Sequence, residues 1–167
     1  MRRYIRSSVP GGTYFFTLVT RNRRAVFNNE SSVAVLRAAF RQVCSQRPFV
    51  MDAIVVLPDH LHCIWRLPVG DADYSTRWRV IKRLVTTGLN APEGRIWQPR
   101  YWEHLIRDEQ DWKRHMDYIH YNPVKHGYAD CPAEWPWSSF RRCVERGWYE
   151  PGWGRGEPAG IEGMDFE

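Results

Sequence analysis

The chain has 167 residues, a mass of 19.8 kDa and 43% hydrophobic content, enough for one domain with a real core and too much for a wholly disordered protein. No run approaches the roughly 18 consecutive apolar residues of a membrane span, and the basic opening MRRYIRSSVPGGTYFF lacks the apolar middle and small-residue cleavage site of a secretory signal. A net charge of +5 and an isoelectric point of about 9.2 point toward a polyanionic partner.

In chain order, the Gly11-Gly12 turn leads into residues 13–20 (TYFFTLVT), whose β-branched and aromatic content predicts a strand. Asn28-Asn29 opens a helix over 30–46, with Val33, Leu36, Phe40 and Val43 at helical spacing and Pro48 closing it. Residues 49–57 (FVMDAIVVL) and 60–67 (HLHCIWRL) read as two strands of a hairpin turned by Pro58-Asp59. Ser75 or Thr76 caps a helix over 76–87, where Trp78, Ile81 and Val85 share a face. A loop with Pro92, Gly94 and Pro99 leads to a short strand over 101–106. A helix follows over 109–122, stopped by Pro123. WPWSSF (135–140) starts a last short helix, and the Gly-, Pro- and acid-rich end reads as a flexible tail over 151–167 behind one domain, 1–150. Strand, helix, strand, strand, helix, strand and an extra helix is the split βαβ, ferredoxin-like order. It is an α+β fold with an antiparallel sheet, helices packed on one face and the other face open for a site. The four cysteines, Cys44, Cys63, Cys131 and Cys143, show no close pairing and suit a reducing cytoplasm.

Charge is unevenly spread. Residues 1–29 hold Arg2, Arg3, Arg6, Arg21, Arg23 and Arg24 with no acidic residue, whereas 154–167 hold Arg155 against Glu157, Glu162, Asp165 and Glu167. The first 153 residues therefore carry 23 basic against 15 acidic side chains, a body of +8. The helix residues Arg77, Arg79, Lys82 and Arg83 form a second basic surface or an ordinary solvated face. Nine tryptophans, Trp97, Trp102, Trp135 and Trp137 among them, either fill the core or stack on exposed bases.

His60 and His62 sit two apart in a strand and share one face, while Leu61 and Cys63 share the other. They are a candidate pair of metal ligands or two surface histidines. On the 109–122 helix, Trp112, Met116 and Ile119 form the core stripe. Asp111, His115, Tyr118 and Asn122 form a second stripe about a quarter turn away. His115, His120, Lys125 and His126 touch phosphate or are solvated, with solvation favoured; Glu103 and His104 either lie near the site or act as structural partners.

Together, GGTYFFTLVTRNRRAVF (11–27), VVLPDHLHCIWRLP (55–68), IWQPRYWEHLIRDEQDWKRHMDYIHYNPVKHGY (96–128) and WPWSSF resemble the REP-associated tyrosine transposases, bacterial members of the single-tyrosine HUH superfamily. The resemblance implies that His60, His62 and Asn122 hold a divalent metal, magnesium or manganese, with no nucleotide cofactor. It implies that Tyr118 is the nucleophile, ahead of its near neighbour Tyr121. The implied activity is a single-stranded DNA endonuclease and strand transferase acting on REP-type hairpins through a 5′-phosphotyrosine. Superfamily relatives with a single tyrosine often work as dimers that exchange the tyrosine helix; for this chain a monomer is expected, with a dimer as the alternative. Arg2, Arg3, Arg6, Arg21, Arg23, Arg24, Arg77, Lys82, Arg83 and Lys125 are the expected DNA contacts. The rival readings are a non-catalytic nucleic-acid-binding module and a water-using phosphodiesterase. The acidic end is expected to compete with DNA for the basic body, so that its deletion tightens binding or speeds cleavage.

Overall fold

The computed structural model describes residues 5–167, and Arg2 and Arg3 lie outside the described residues. β1 (Thr13–Val19), β2 (Val50–Val56), β3 (His60–Arg66) and β4 (Trp102–Leu105) form one antiparallel sheet in the order β2-β3-β1-β4. α1 (Glu30–Gln46) and α2 (Tyr74–Gly88) cover one face, where Phe16, Leu18, Leu61, Cys63 and Trp65 meet Leu36, Phe40 and Trp78. α3 (Glu109–Lys125) lies on the other face, where Met116, Tyr118 and Ile119 pack against Phe15, Val55 and Ile64. The strand period of two makes this division. All of β3 from His60 to Trp65 is buried because both faces are covered. The face expected to be open is therefore roofed by α3, and the site lies between sheet and helix.

Several boundaries differ from the sequence expectation. α2 starts at Tyr74, because Asp73 rather than Ser75 or Thr76 accepts the Thr76 N–H. α3 runs through Pro123 to Lys125. The proline falls in the last turn, so the hydrogen bond it deletes is one of the last, and Gly127 at φ +74° then ends the helix. The β2–β3 hairpin is tied by Leu57 N–H donating to the His60 carbonyl at 2.8 Å. A final helix, α4 (Phe140–Glu145), follows WPWSS, and the four thiols are unpaired. Beyond it the chain returns along α3. The Tyr149 hydroxyl donates to Asp117 at 2.8 Å, Arg114 holds the Gly160 carbonyl at 2.7 Å, and Ile161 is buried in the second core.

Candidate metal and tyrosine site

β3 is the second strand in from the β2 edge, paired on both sides, so its two histidines stand on a rigid floor. His62 pairs in register with Thr17 of β1 and Val55 of β2. A carboxylate can only accept, so the 2.6 Å contact between His60 Nδ1 and Asp59 Oδ1 fixes the proton on Nδ1 and turns Nε2 to the site. The His62 Nδ1 contacts the Thr17 hydroxyl at 2.7 Å, which again leaves Nε2 facing inward. The opposite wall comes from α3, where Asn122 Oδ1 lies 3.3 Å from His60 Nε2.

α3 is held at its start by a dense clamp. Asp108 caps it by accepting the Asp111 N–H at 2.7 Å. The Asp111 carboxylate takes His104 Nε2 at 2.8 Å, the Arg107 backbone N–H at 3.0 Å and the Arg107 Nε at 3.2 Å. His104, Asp111 and His115 also lie close enough together to bind an ion, but Arg107 and the backbone already engage the Asp111 oxygens. The core stripe packs as its spacing predicts, with Met116 and Ile119 buried and Trp112 donating its Nε1–H to Asp52 at 2.9 Å. The second stripe, Asp111, His115, Tyr118 and Asn122, is buried in full. His115 and His120 are therefore not solvated. His120 bonds Ser139 at 2.8 Å, and burial pushes its pKa down to about 3.

The Tyr118 ring stands edge-on to His62, with centroids 5.2 Å apart, whereas Tyr121 packs at the margin of the second core. The Tyr118 hydroxyl accepts from the Phe166 N–H at 3.2 Å and from Lys125 Nζ at 3.3 Å, and donates to Glu167 Oε1 at 3.2 Å. That one carboxylate oxygen also lies 2.7 Å from His126 Nε2, 3.6 Å from His60 Nε2 and 3.7 Å from His62 Nε2. Burial pushes the Tyr118 pKa up, with the Glu167 charge adding to it and Lys125 opposing it, so the phenol keeps its proton here. Burial drives His62 down to about 4 and hence neutral. It opposes charge on His60 as well, but Glu167 and Asp59 outweigh it and raise that pKa. Glu167 is held far below the carboxylate range by His126, His60 and His62, against the opposite pull of burial.

A cation fits this arrangement. With Nδ1 bearing the proton, His60 Nε2 meets Asn122 Oδ1 and Glu167 Oε1 lone pair to lone pair, a conflict that a second proton or a metal ion resolves. His62 Nε2 and Asn122 Nδ2 are buried without a hydrogen-bond partner. His60, His62 and Glu167 form one of the two groups with metal-ligating spacing among the described residues. Neither Asp59 nor Glu167 was among the expected site residues. Asp59 had a sufficient role as a turn residue, and Glu167 left only the signal of acidic charge near the chain's end.

Of the expected DNA contacts, Arg6, Arg21, Lys82 and Arg83 line a cavity of about 930 Å³ between α2 and the 89–101 loop, together with Arg79 and Trp97. Arg77 does not join them. It is 2% exposed and spends its donors on Asp71 and on the carbonyls of Arg47, Pro48 and Asp73, so it is a structural tie under the start of α2. Arg23 pairs with Asp59 at 3.3 Å, and Arg24 donates to the Arg95 carbonyl at 3.4 Å. Lys125 stands at the tyrosine rather than on an outer surface. Trp97 is buried, and Trp102 is half exposed.

Comparison with known proteins decides the family. A family model described as IS200-like transposase matches residues 8–122, a span from before β1 to Asn122 that contains His60, His62 and Tyr118. The REP-associated tyrosine transposase of Escherichia coli K12 is 48% identical over 92% of this chain and 91% of its own length. The chain belongs to the REP-associated tyrosine transposases. A Haemophilus influenzae relative of this transposase is 39% identical over 98% of this chain and 99% of its own. A solved structure of a REP-associated tyrosine transposase bound to a REP hairpin superposes with a TM-score of 0.87 at 45% identity, covering 96% of each chain. The α+β class and the four-stranded antiparallel sheet expected from the strand and helix order are those observed and match this neighbour, whereas helices cover both faces of the sheet rather than one.

Proposed function

We propose that this tyrosine transposase cuts and rejoins single-stranded DNA at REP-type hairpins, with Tyr118 as nucleophile and His60, His62 and Asn122 as ligands of a divalent metal. The observation that carries this reading is the convergence of the Tyr118 hydroxyl and the Nε2 atoms of both histidines on one small volume, marked by Glu167 Oε1 within 3.2–3.7 Å of each. Magnesium or manganese bound there supplies charge neutralisation on the scissile phosphate. Two imidazoles and an amide oxygen, with Cys63 turned to the opposite face, suit those ions better than a thiolate-seeking structural zinc.

The chain's own residues do the rest. His60 and Asn122 grip from two elements, sheet and helix, so the substrate phosphate is aligned against the phenol rather than merely near it. The Tyr118 oxygen attacks phosphorus and loses its proton to solvent. The bond from phosphorus to the 3′ oxygen breaks, and that oxygen takes up a solvent proton as a 3′-hydroxyl. The new phosphotyrosine keeps the bond energy, so a second 3′-hydroxyl reverses the step and joins strands. Lys125, 3.3 Å from the phenol oxygen, favours the anionic form as the proton leaves. The groove of Arg6, Arg21, Arg79, Lys82 and Arg83 is positioned to hold the hairpin backbone.

A monomer suffices for this reading, because one chain supplies the histidines from β3 and the tyrosine from α3. Residues 1–150 form the transposase domain and 151–167 a separate segment that returns to it. No described helix is long and apolar enough to cross a membrane, and four unpaired thiols accord with a cytoplasmic enzyme.

The test is incubation of labelled hairpin DNA with manganese or magnesium. Wild type should give a covalent protein–DNA band and Tyr118→Phe should give none. Cutting by Tyr118→Phe with release of a free 5′-phosphate would establish a water-using phosphodiesterase instead. Tight binding with no adduct under any metal would leave a binding module.

A further inference from the structure

Phe166 and Glu167 occupy the site as an aromatic ring followed at once by an anion. The Phe166 ring lies 5.3 Å from His115 at an interplanar angle of 18°, and His104 continues the stack beyond His115 at 4.7 Å and 15°. Phe15 lines the same seat at 5.3 Å, and Tyr118 closes it edge-on at 5.1 Å. His115 is 4% exposed, and its Nε2 has no hydrogen-bond partner. The next residue puts its carboxylate against the Tyr118 hydroxyl, Lys125 and His126. Beside the pair opens a cavity of about 320 Å³, lined by Thr17, Gln98, Arg100 and the half-exposed Trp102.

We propose that the seat of Phe166 is a nucleobase subsite. It stacks the unpaired base of a nucleotide adjoining the phosphate that Tyr118 attacks, on His115 and against Phe15. The ring of Phe166 stands where that base stands, and the Glu167 carboxylate stands where the phosphate stands. The cavity beyond, with Trp102 to stack and Arg100 to meet a phosphate, takes the next nucleotide along the strand. This subsite rests on the strand-transfer reading for the identity of its ligand, but binding alone can test it.

The probe is a hairpin oligonucleotide with unpaired flanks in which one abasic residue is walked through each flank position. It is titrated by fluorescence anisotropy onto full-length chain carrying Tyr118→Phe, which binds without cutting. In a chain that also carries Phe166→Ala and Glu167→Ala, the intact oligonucleotide should bind more tightly than to the native pair. One abasic position should then cost roughly tenfold in affinity. His115→Ala should erase that penalty and His115→Phe, which keeps the ring, should retain it, separating stacking from mere support of the fold. Equal binding of every abasic oligonucleotide would overturn the subsite. Adduct formation by the Tyr118-bearing chain is scored in parallel. An adduct with no abasic penalty removes the subsite and keeps the function; a penalty with no adduct does the reverse.

Discussion

One carboxylate decides which nitrogen of His60 faces the site. Asp59 holds Nδ1 at 2.6 Å, so Asp59→Asn weakens the aim and basicity of the proposed ligand, and manganese affinity should fall about 10–100-fold by calorimetric titration. The same pair sets a pH dependence. In the metal-free chain the His60 pKa is raised above 6.5 by Glu167 and Asp59, against the pull of burial. Its protonated form therefore adds stability that is full below 6.5 and is lost as pH rises through the folded value. Melting scans without metal should fall from about pH 6 to 8, flatten in Asp59→Asn, and reverse their slope with manganese, which requires the unprotonated nitrogen. Arginines divide in the same residue-level way. Arg83→Ala should leave the melting temperature unchanged and lower the salt dependence of DNA binding by about one phosphate contact. Arg77→Ala removes a buried guanidinium, leaves the carbonyls of Arg47, Pro48 and Asp73 and the part-exposed Asp71 without their donor, and should cost about 2 kcal/mol of stability. Periods of 2 and 3.6 put His60 with His62 and Tyr118 with Asn122 on shared faces, but only the family resemblance attached metal and nucleophile roles to them. Arg77 was misread because a charge on a helix surface reads as solvated, and its partner lies outside the helix.

The element that matters most is α3, which carries both Tyr118 and Asn122 across the sheet. Its first turn is fixed to β4 by Asp111, whose carboxyl burial alone would raise but which Arg107 and His104 hold well below the usual range. Asp111→Asn removes a charged acceptor with three partners and should cost about 2 kcal/mol, roughly 4–8 °C in melting temperature. Because the lowered carboxyl stabilises above its unfolded pKa, the gap between variant and wild type should close as pH falls below about 4. Most elements were readable from periodicity, turn residues and caps, to within a residue or two. Pro123 was not, since a proline halts a helix only where helix remains to be halted, and here two residues were left. Nor was the second layer on the sheet visible. The stripe of Trp112, Met116 and Ile119 says that α3 has a buried face but not which face of the sheet receives it.

At the scale of the molecule, the basic body and the acidic end meet inside the site. The first 153 residues carry +8, and the last fourteen carry four acidic groups against Arg155. Charge alone predicts a diffuse competition with DNA along the whole acidic segment. In the structure the acidic end enters the site at Glu167, whose carboxylate contacts Tyr118, Lys125 and His126 and lies near Nε2 of both His60 and His62. The part of the segment before Asp165 packs elsewhere, because Ile161 is buried in the second core and Gly160 is bonded to Arg114. The two ways of removing the charge should therefore part company. Removing residues 165–167, or Glu167→Ala alone, should speed adduct formation several-fold while leaving the fold intact. Removing 154–167 should open the site equally but uncover the side of the core that Ile161 fills. That loss is worth about 1.5–3 kcal/mol, so melting should fall as well. Single-turnover adduct rates beside thermal melts make the comparison. If the short removal leaves the rate unchanged while the long one raises it, the diffuse acidic charge is the brake and the Glu167 contact is not.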